Sequence, residues 1–170
     1  MTGAVPGPEA VVELCAFRVG GEEYVIDLRR VREILRPLPV VPVPAAPPFV
    51  EGVVDLRGEV IPVVDVRKRL GLEARGAAAG KMLVLTVAGQ VIALLVDAVV
   101  EVVRTTRSRI GPPPALVAGG SRLFLGVCGA GKGARGKQNG SPPPGAAPRL
   151  RLLLNVKALL EDGPLARPAR

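Results

Sequence analysis

At 170 residues and 17.6 kDa, the chain has room for one ordinary domain or two small halves sharing a core. Its 48% hydrophobic content and mean hydropathy of +0.35 exclude wholesale disorder, and the absence of histidine removes imidazole bases, phosphoacceptor histidines and histidine-ligated metals together. The net charge is +8, but half of that excess lies in the Gly/Pro-rich residues 129–149, and four aromatics (Phe17, Tyr24, Phe49, Phe124) are too few for a stacking platform for single-stranded nucleic acid.

In chain order, residues 1–12 lack the basic and apolar regions of a secretory signal and are expected to form a flexible N-terminus. Residues 14–19 and 23–27 read as a β-hairpin turned at Gly20-Gly21, with Cys15, Phe17 and Val19 on one face. Over 28–35 the period changes. Leu28, Val31 and Ile34/Leu35 make an apolar stripe with Arg29, Arg30, Arg32 and Glu33 off it, which predicts a short amphipathic helix. On such a helix the plain alternative for Glu33 is an exposed charge paired with Arg29 or Arg30, beside a role as an interface acid. Six prolines between Pro37 and Pro48 then leave only extended or edge structure.

Strands are expected at 53–56, 59–66, 81–87, 91–96, 99–104, 123–128 and 150–155, with helical turns at 67–72 and 156–161 and a proline-rich connector at 110–120. Residues 82–100 contain one charge, Asp97, and are apolar enough to suggest a membrane span. Gly89-Gln90 interrupts them, and Val, Ile and Leu on both sides suit two buried strands instead. Cys15 and Cys128 lie in apolar strand-like contexts without CxxC spacing, which suits buried thiols in a reducing cytosol; a disulfide or a reactive thiol is the alternative. Many short strands and few helices point to an all-β chain of small barrels or sandwiches.

The chain also repeats itself. LRRVREILR at 28–36 aligns position for position with VDAVVEVVR at 96–104, placing Val31 on Val99 and Glu33 on Glu101. PVVDVRKRL at 62–70 aligns in the same way with LLLNVKALL at 152–160, at a wider separation. An insertion at 129–149 in the second half accounts for the widening, so two similar β units are expected; chance likeness between apolar strands is the alternative.

The most specific stretch is FVEGVVDLRGEVIPVVDVRKRLGL, residues 49–72. Gly52 opens a strand, Arg57-Gly58 makes a tight turn, and Gly58 supplies a positive φ that arginine resists. Arg57 is thereby displayed at a hairpin tip. It is either a solvated turn residue or a held guanidinium that offers a fork of donors to a partner.

With FRVGGEEYVIDLRRVREI, GVVDLRGEVIPVVDVRKRLGL, VDAVVEVV and LLLNVKALL in this order, the chain from about residue 13 to 160 resembles the CheW family of chemotaxis coupling proteins. The resemblance implies two five-stranded SH3-like β-barrel subdomains packed on a shared core, with short helices. It implies a single domain over 13–161, a first barrel at about 13–80 with possible strand exchange, and a second at about 81–161. It also implies a non-catalytic cytoplasmic adaptor, without cofactor or metal, recruited to membrane-associated receptor arrays. The partners implied are a CheA-type histidine kinase, through its regulatory domain, and the cytoplasmic tip of a chemoreceptor, with no nucleic acid and no direct membrane insertion. Matched motif by motif, receptor contacts fall on Val31, Glu33, Gly52, Arg57 and Val102, and the internal repeat adds Val99.

Two stretches depart from the family pattern: the loop 129–149, whose composition predicts a mobile surface segment, and a short proline-interrupted tail at 162–170. GVCGAGKG at 126–133 imitates a phosphate-binding loop. It ends in Gly133 where Mg²⁺ binding needs a hydroxyl, and the following residues cannot start the required helix. Asn139-Gly140-Ser141 is a glycosylation sequon in form only, and the carboxylates Asp55, Glu59 and Asp65 read as solvated strand edges rather than a metal or acid–base site. The remaining alternatives are a small basic barrel that binds nucleic acid, and a CheW-like adaptor in a sensory pathway other than chemotaxis.

Overall fold

The computed structural model describes residues 9–73, 79–113, 122–129 and 150–161. The expected N-terminal extension, inserted loop and tail therefore fall mainly on residues outside the described ones. Residues 11 and 12, expected in the extension, instead begin a strand and pair with Thr106 and Thr105.

The chain order is β1 (Val11–Val19), β2 (Glu22–Asp27), β3 (Val31–Leu35), β4 (Val50–Leu56), β5 (Glu59–Asp65), α1 (Val66–Arg69), β6 (Lys81–Val87), β7 (Gln90–Val96), β8 (Ala98–Thr106), β9 (Ile110–Gly111), β10 (Phe124–Gly129), β11 (Leu150–Leu154) and α2 (Val156–Leu160). Two sheets result. Barrel I has the order β3-β6-β7-β5-β4, and barrel II has β8-β1-β2-β11-β10-β9. Each is SH3-like and closes in the same way: the chain leaving one edge strand returns to the opposite edge. Beyond β3, Val41 bridges Val53 of β4; beyond β8, β9 pairs with β10.

The sheets do not follow a boundary at residue 80. The hairpin β1–β2 belongs to barrel II, and β6–β7 belongs to barrel I, each added through a parallel pair, β11 with β2 and β5 with β7. This reciprocal exchange explains why these hairpins are apolar on both faces. One face of β1, β2, β6 and β7, with Phe17, Ile26, Leu83, Leu85, Ile92 and Leu94, builds a core shared by the two barrels. The other faces fill the barrels separately, Met82, Val84 and Ala93 in barrel I and Leu14, Ala16 and Val25 in barrel II. Each fully buried Leu, Ile or Phe contributes about 1.5–3 kcal/mol. Residues 82–100 are thus mostly a doubly buried hairpin turned at Ala88-Gly89, and among the described residues no helix is long and apolar enough to cross a membrane.

The repeat is structural and longer than the aligned motifs. The β1–β2 turn has positive φ at Gly20 and Gly21, and in the same register the β6–β7 turn has it at Ala88 and Gly89. The pairing of β3 with β6 skips Arg32, and the pairing of β1 with β8 skips Val100, its counterpart in the repeat. Asp65 caps α1, and its counterpart Asn155 caps α2.

The helix expected over 28–35 is not formed. A single 3-10 turn, Leu28–Arg30, capped by the Asp27 side chain, is followed by the strand β3. The turn and the bulge at Arg32 together reproduce an apolar spacing of three, which imitates a helical stripe. Cross-strand pairing of Val31 with Leu85 and Ile34 with Leu83 decides the outcome.

Candidate functional site

Barrel closure brings the β4–β5 hairpin tip to β3, although these strands lie at opposite edges of the sheet. At the tip Arg57 (φ 52°) and Gly58 (φ 85°) both take positive φ, as the two central residues of a type I′ turn do. The expectation that glycine alone would carry that conformation is therefore corrected. An arginine there costs about 1–2 kcal/mol. The Gly58 N–H donates to Asp55 Oδ1 at 2.7 Å, which holds the turn.

The Arg57 guanidinium forms a fork with Glu33: Nη1 donates to Oε1 at 2.9 Å and Nη2 to Oε2 at 2.7 Å. These bonds hold the Glu33 carboxyl below the usual carboxylate range. The alternative reading of Glu33, a helix charge paired with Arg29 or Arg30, is excluded, because no helix turn brings them together; Arg29 instead bonds Asp27. Arg57 remains 72% exposed and Glu33 24% exposed. The fork uses two of the five guanidinium N–H groups and leaves three. A surface pair of this kind adds only about 0–1 kcal/mol to folding, so its geometry matters more than its stability.

Gly52 is buried in the middle of β4 rather than at its start. Its φ is 147°, and a Cβ there would lie 2.1 Å from the Val41 carbonyl oxygen. Its part is to let the returning chain close barrel I, so it presents no surface. Gly126 does the same in barrel II, where a Cβ would meet Gly111 O at 2.8 Å. The first glycine of the imitation phosphate loop is accordingly a closure glycine. Residues 130–133 of that motif lie outside the described residues.

Val31 and Val99 are partly buried against the shared core, one on each barrel, at repeat-equivalent positions. Val102 on β8 is 50% exposed. Its equivalent on β3, Ile34, is 47% exposed and is missing from the residues singled out by sequence, although the same alignment that adds Val99 also sets Ile34 against Val102. Glu33 and Arg57 thus meet directly, Val31 and Val99 pack on the shared core, and Gly52 admits the Val41 carbonyl that closes barrel I.

Of the three carboxylates at issue, Asp55 caps its turn, Glu59 is exposed, and Asp65 is buried. Burial pushes the Asp65 carboxyl up, against hydrogen bonds from the Arg67 and Lys68 backbone that pull it down. Cys15 and Cys128 are buried free thiols, and burial raises the pKa of Cys15.

Comparison with known proteins gives a consistent result. A family model described as "CheW-like domain" matches residues 13–163. The chemotaxis protein CheW of Rhizobium meliloti (strain 1021) is 39% identical over 113 residues, 66% of this chain and 73% of that protein. The CheW of Helicobacter pylori is 30% identical over 154 residues, 90% of this chain and 84% of that one. Among solved structures, the scaffolding protein TtCheW from Thermoanaerobacter tengcongensis superposes with a TM-score of 0.72 at 26% identity, covering 89% of this chain and 94% of that one.

Proposed function

This chain belongs to the CheW-like domain family, and from that membership we propose that it is a non-catalytic chemotaxis adaptor coupling a CheA-type histidine kinase to the cytoplasmic tips of chemoreceptors. It acts in the cytoplasm and is recruited to membrane-associated receptor arrays. Coupling needs no chemistry of its own: one body binds both partners, so the geometry of its surfaces carries the signal.

The observation that supports a receptor side on barrel I and β8 is the Glu33–Arg57 fork. It holds an exposed guanidinium in a conformation that arginine disfavours, and it fixes the remaining donors in direction. Val31 and Ile34 offer apolar contact on β3, and Val99 and Val102 offer it on β8. A small apolar centre with a polar rim suits a reversible interface. Gly52 belongs to this site as a support for the closing strand.

Arg57→Glu, scored separately against receptor tip and kinase, tests the assignment. Burial of Arg57 on docking predicts a receptor-binding loss of about 30-fold or more, with kinase binding retained. Equal losses for both partners in a protein that keeps its melting temperature would remove Arg57 from a receptor side.

A further inference from the structure

Among the described residues, one end of barrel II holds a cavity whose charges differ from those at the corresponding end of barrel I. In barrel I, Arg67 and Asp97 pair at that end: Nε donates to Oδ1 at 2.7 Å and Nη2 to Oδ2 at 2.5 Å. Leu38 and Val40 pack against the interior of barrel I. In the register of the repeat, Arg29 stands in place of Asp97, and Lys157 in place of Arg67. Two cations therefore stand where the other barrel has an ion pair, and both line a cavity of ≈ 460 Å³.

Leu14, Ile110, Leu153 and Val156 give this cavity apolar walls, and Arg30 and Arg107 add two further cations. Asp27 is its one acid, and its carboxylate is engaged by Arg29 through Nε and Nη2. Among the described residues no carboxylate pairs with Arg30, Arg107 or Lys157. The volume falls in the range of about 300–1,000 Å³ typical of small-molecule sites. Uncompensated like charges around a low-dielectric cavity repel one another, and an anion seated among them relieves that repulsion.

We propose that this end of barrel II binds a small amphiphilic anion, its carboxylate or phosphate head held by Arg30, Arg107 and Lys157 and its short aliphatic chain lying among Leu14, Ile110, Leu153 and Val156. The guanidinium fork suits either head group. The surplus of cations over the single acid is what selects an anion, and the aliphatic walls are what select a tail.

Calorimetric titration of the full chain with octanoate and octyl phosphate, below their micellar concentrations, tests this. One-to-one saturable binding is expected, with acetate and 1-octanol each weaker by about tenfold or more. The better of the two amphiphiles identifies the head group. Combined Arg30→Gln, Arg107→Gln and Lys157→Gln should weaken binding by a similar factor, as should Leu125→Asp at the exposed rim, which keeps the proposal testable if the triple variant does not fold. Four results would overturn the proposal: no saturation with either amphiphile, unchanged affinity in folded neutralised variants, acetate binding as tightly as octanoate (an adventitious ion only), or binding confined to anionic vesicles or to acidic peptides.

Discussion

Glu33 and Glu101 occupy the same place in the two repeats, each just beyond a strand bulge. Their partners differ in kind. Glu33 meets Arg57, which is 72% exposed at a hairpin tip. Glu101 meets Arg151, which is 6% exposed within barrel II and also bonds Glu23; the two contacts are 2.6 and 2.7 Å. One glutamate position has been used once as a strut inside the fold and once as a mount for an exposed cation. The difference follows from where the arginine originates. Arg151 lies within a central strand, so the sheet encloses it, whereas Arg57 sits at a turn that the sheet leaves in solvent.

That contrast predicts unequal consequences. The largest effect belongs to Arg151→Met, which leaves Glu23 and Glu101 without their shared cation and should cost about 3–5 kcal/mol of stability in denaturant unfolding. Adding Glu23→Gln and Glu101→Gln should recover part of that loss, because both carboxylates have lost a cation, although Glu23 keeps Arg18 at 3.5 Å. Arg69→Leu follows. Its buried guanidinium donates to the carbonyls of Ala158, Leu159 and Glu161 at 3.1–3.2 Å and lies 4.7 Å above the Phe49 ring, tying α1 to α2. Its removal should cost about 2–3 kcal/mol and speed amide exchange in α2 first.

Asp65→Asn should act in the opposite direction and raise stability. Burial raises the folded-state pKa of Asp65, so ionising it opposes folding, and stability falls as pH rises from about 4 through the raised value. Asparagine caps as well, as Asn155 does in barrel II. The variant should melt a few degrees higher at neutral pH, with the gain vanishing near pH 4. A gain that persists unchanged at pH 3 would assign it to something other than Asp65 ionisation. Smallest of all is Arg57→Ala, which should change stability by less than about 1 kcal/mol, since only an exposed ion pair is lost and alanine keeps the Cβ that disfavours positive φ.

Most strands are legible in the sequence because their alternation or continuous apolar runs have few competing explanations. The β6 limits agree with 81–87, and the two-fold repeat is visible from residue spacing alone. The 28–35 segment misleads because a 3-10 turn followed by a bulged strand imitates helical spacing, and only the partner strand β6 separates the two. The exchange of hairpins is a tertiary choice with no local mark beyond apolarity on both faces. At the site, display of Arg57 can be read from the Arg-Gly pair. Its union with Glu33 cannot, because it depends on barrel closure between opposite sheet edges, and that closure depends in turn on Gly52 admitting the Val41 carbonyl.

In the proposed function the Glu33–Arg57 pair faces a partner rather than serving the fold. Exchanging the two charges, Glu33→Arg with Arg57→Glu, keeps an ion pair at the seam while reversing what it presents. The exchanged protein should melt near the parent and bind the receptor tip as weakly as Arg57→Glu alone. Full recovery of receptor binding in the exchanged protein would contradict that role.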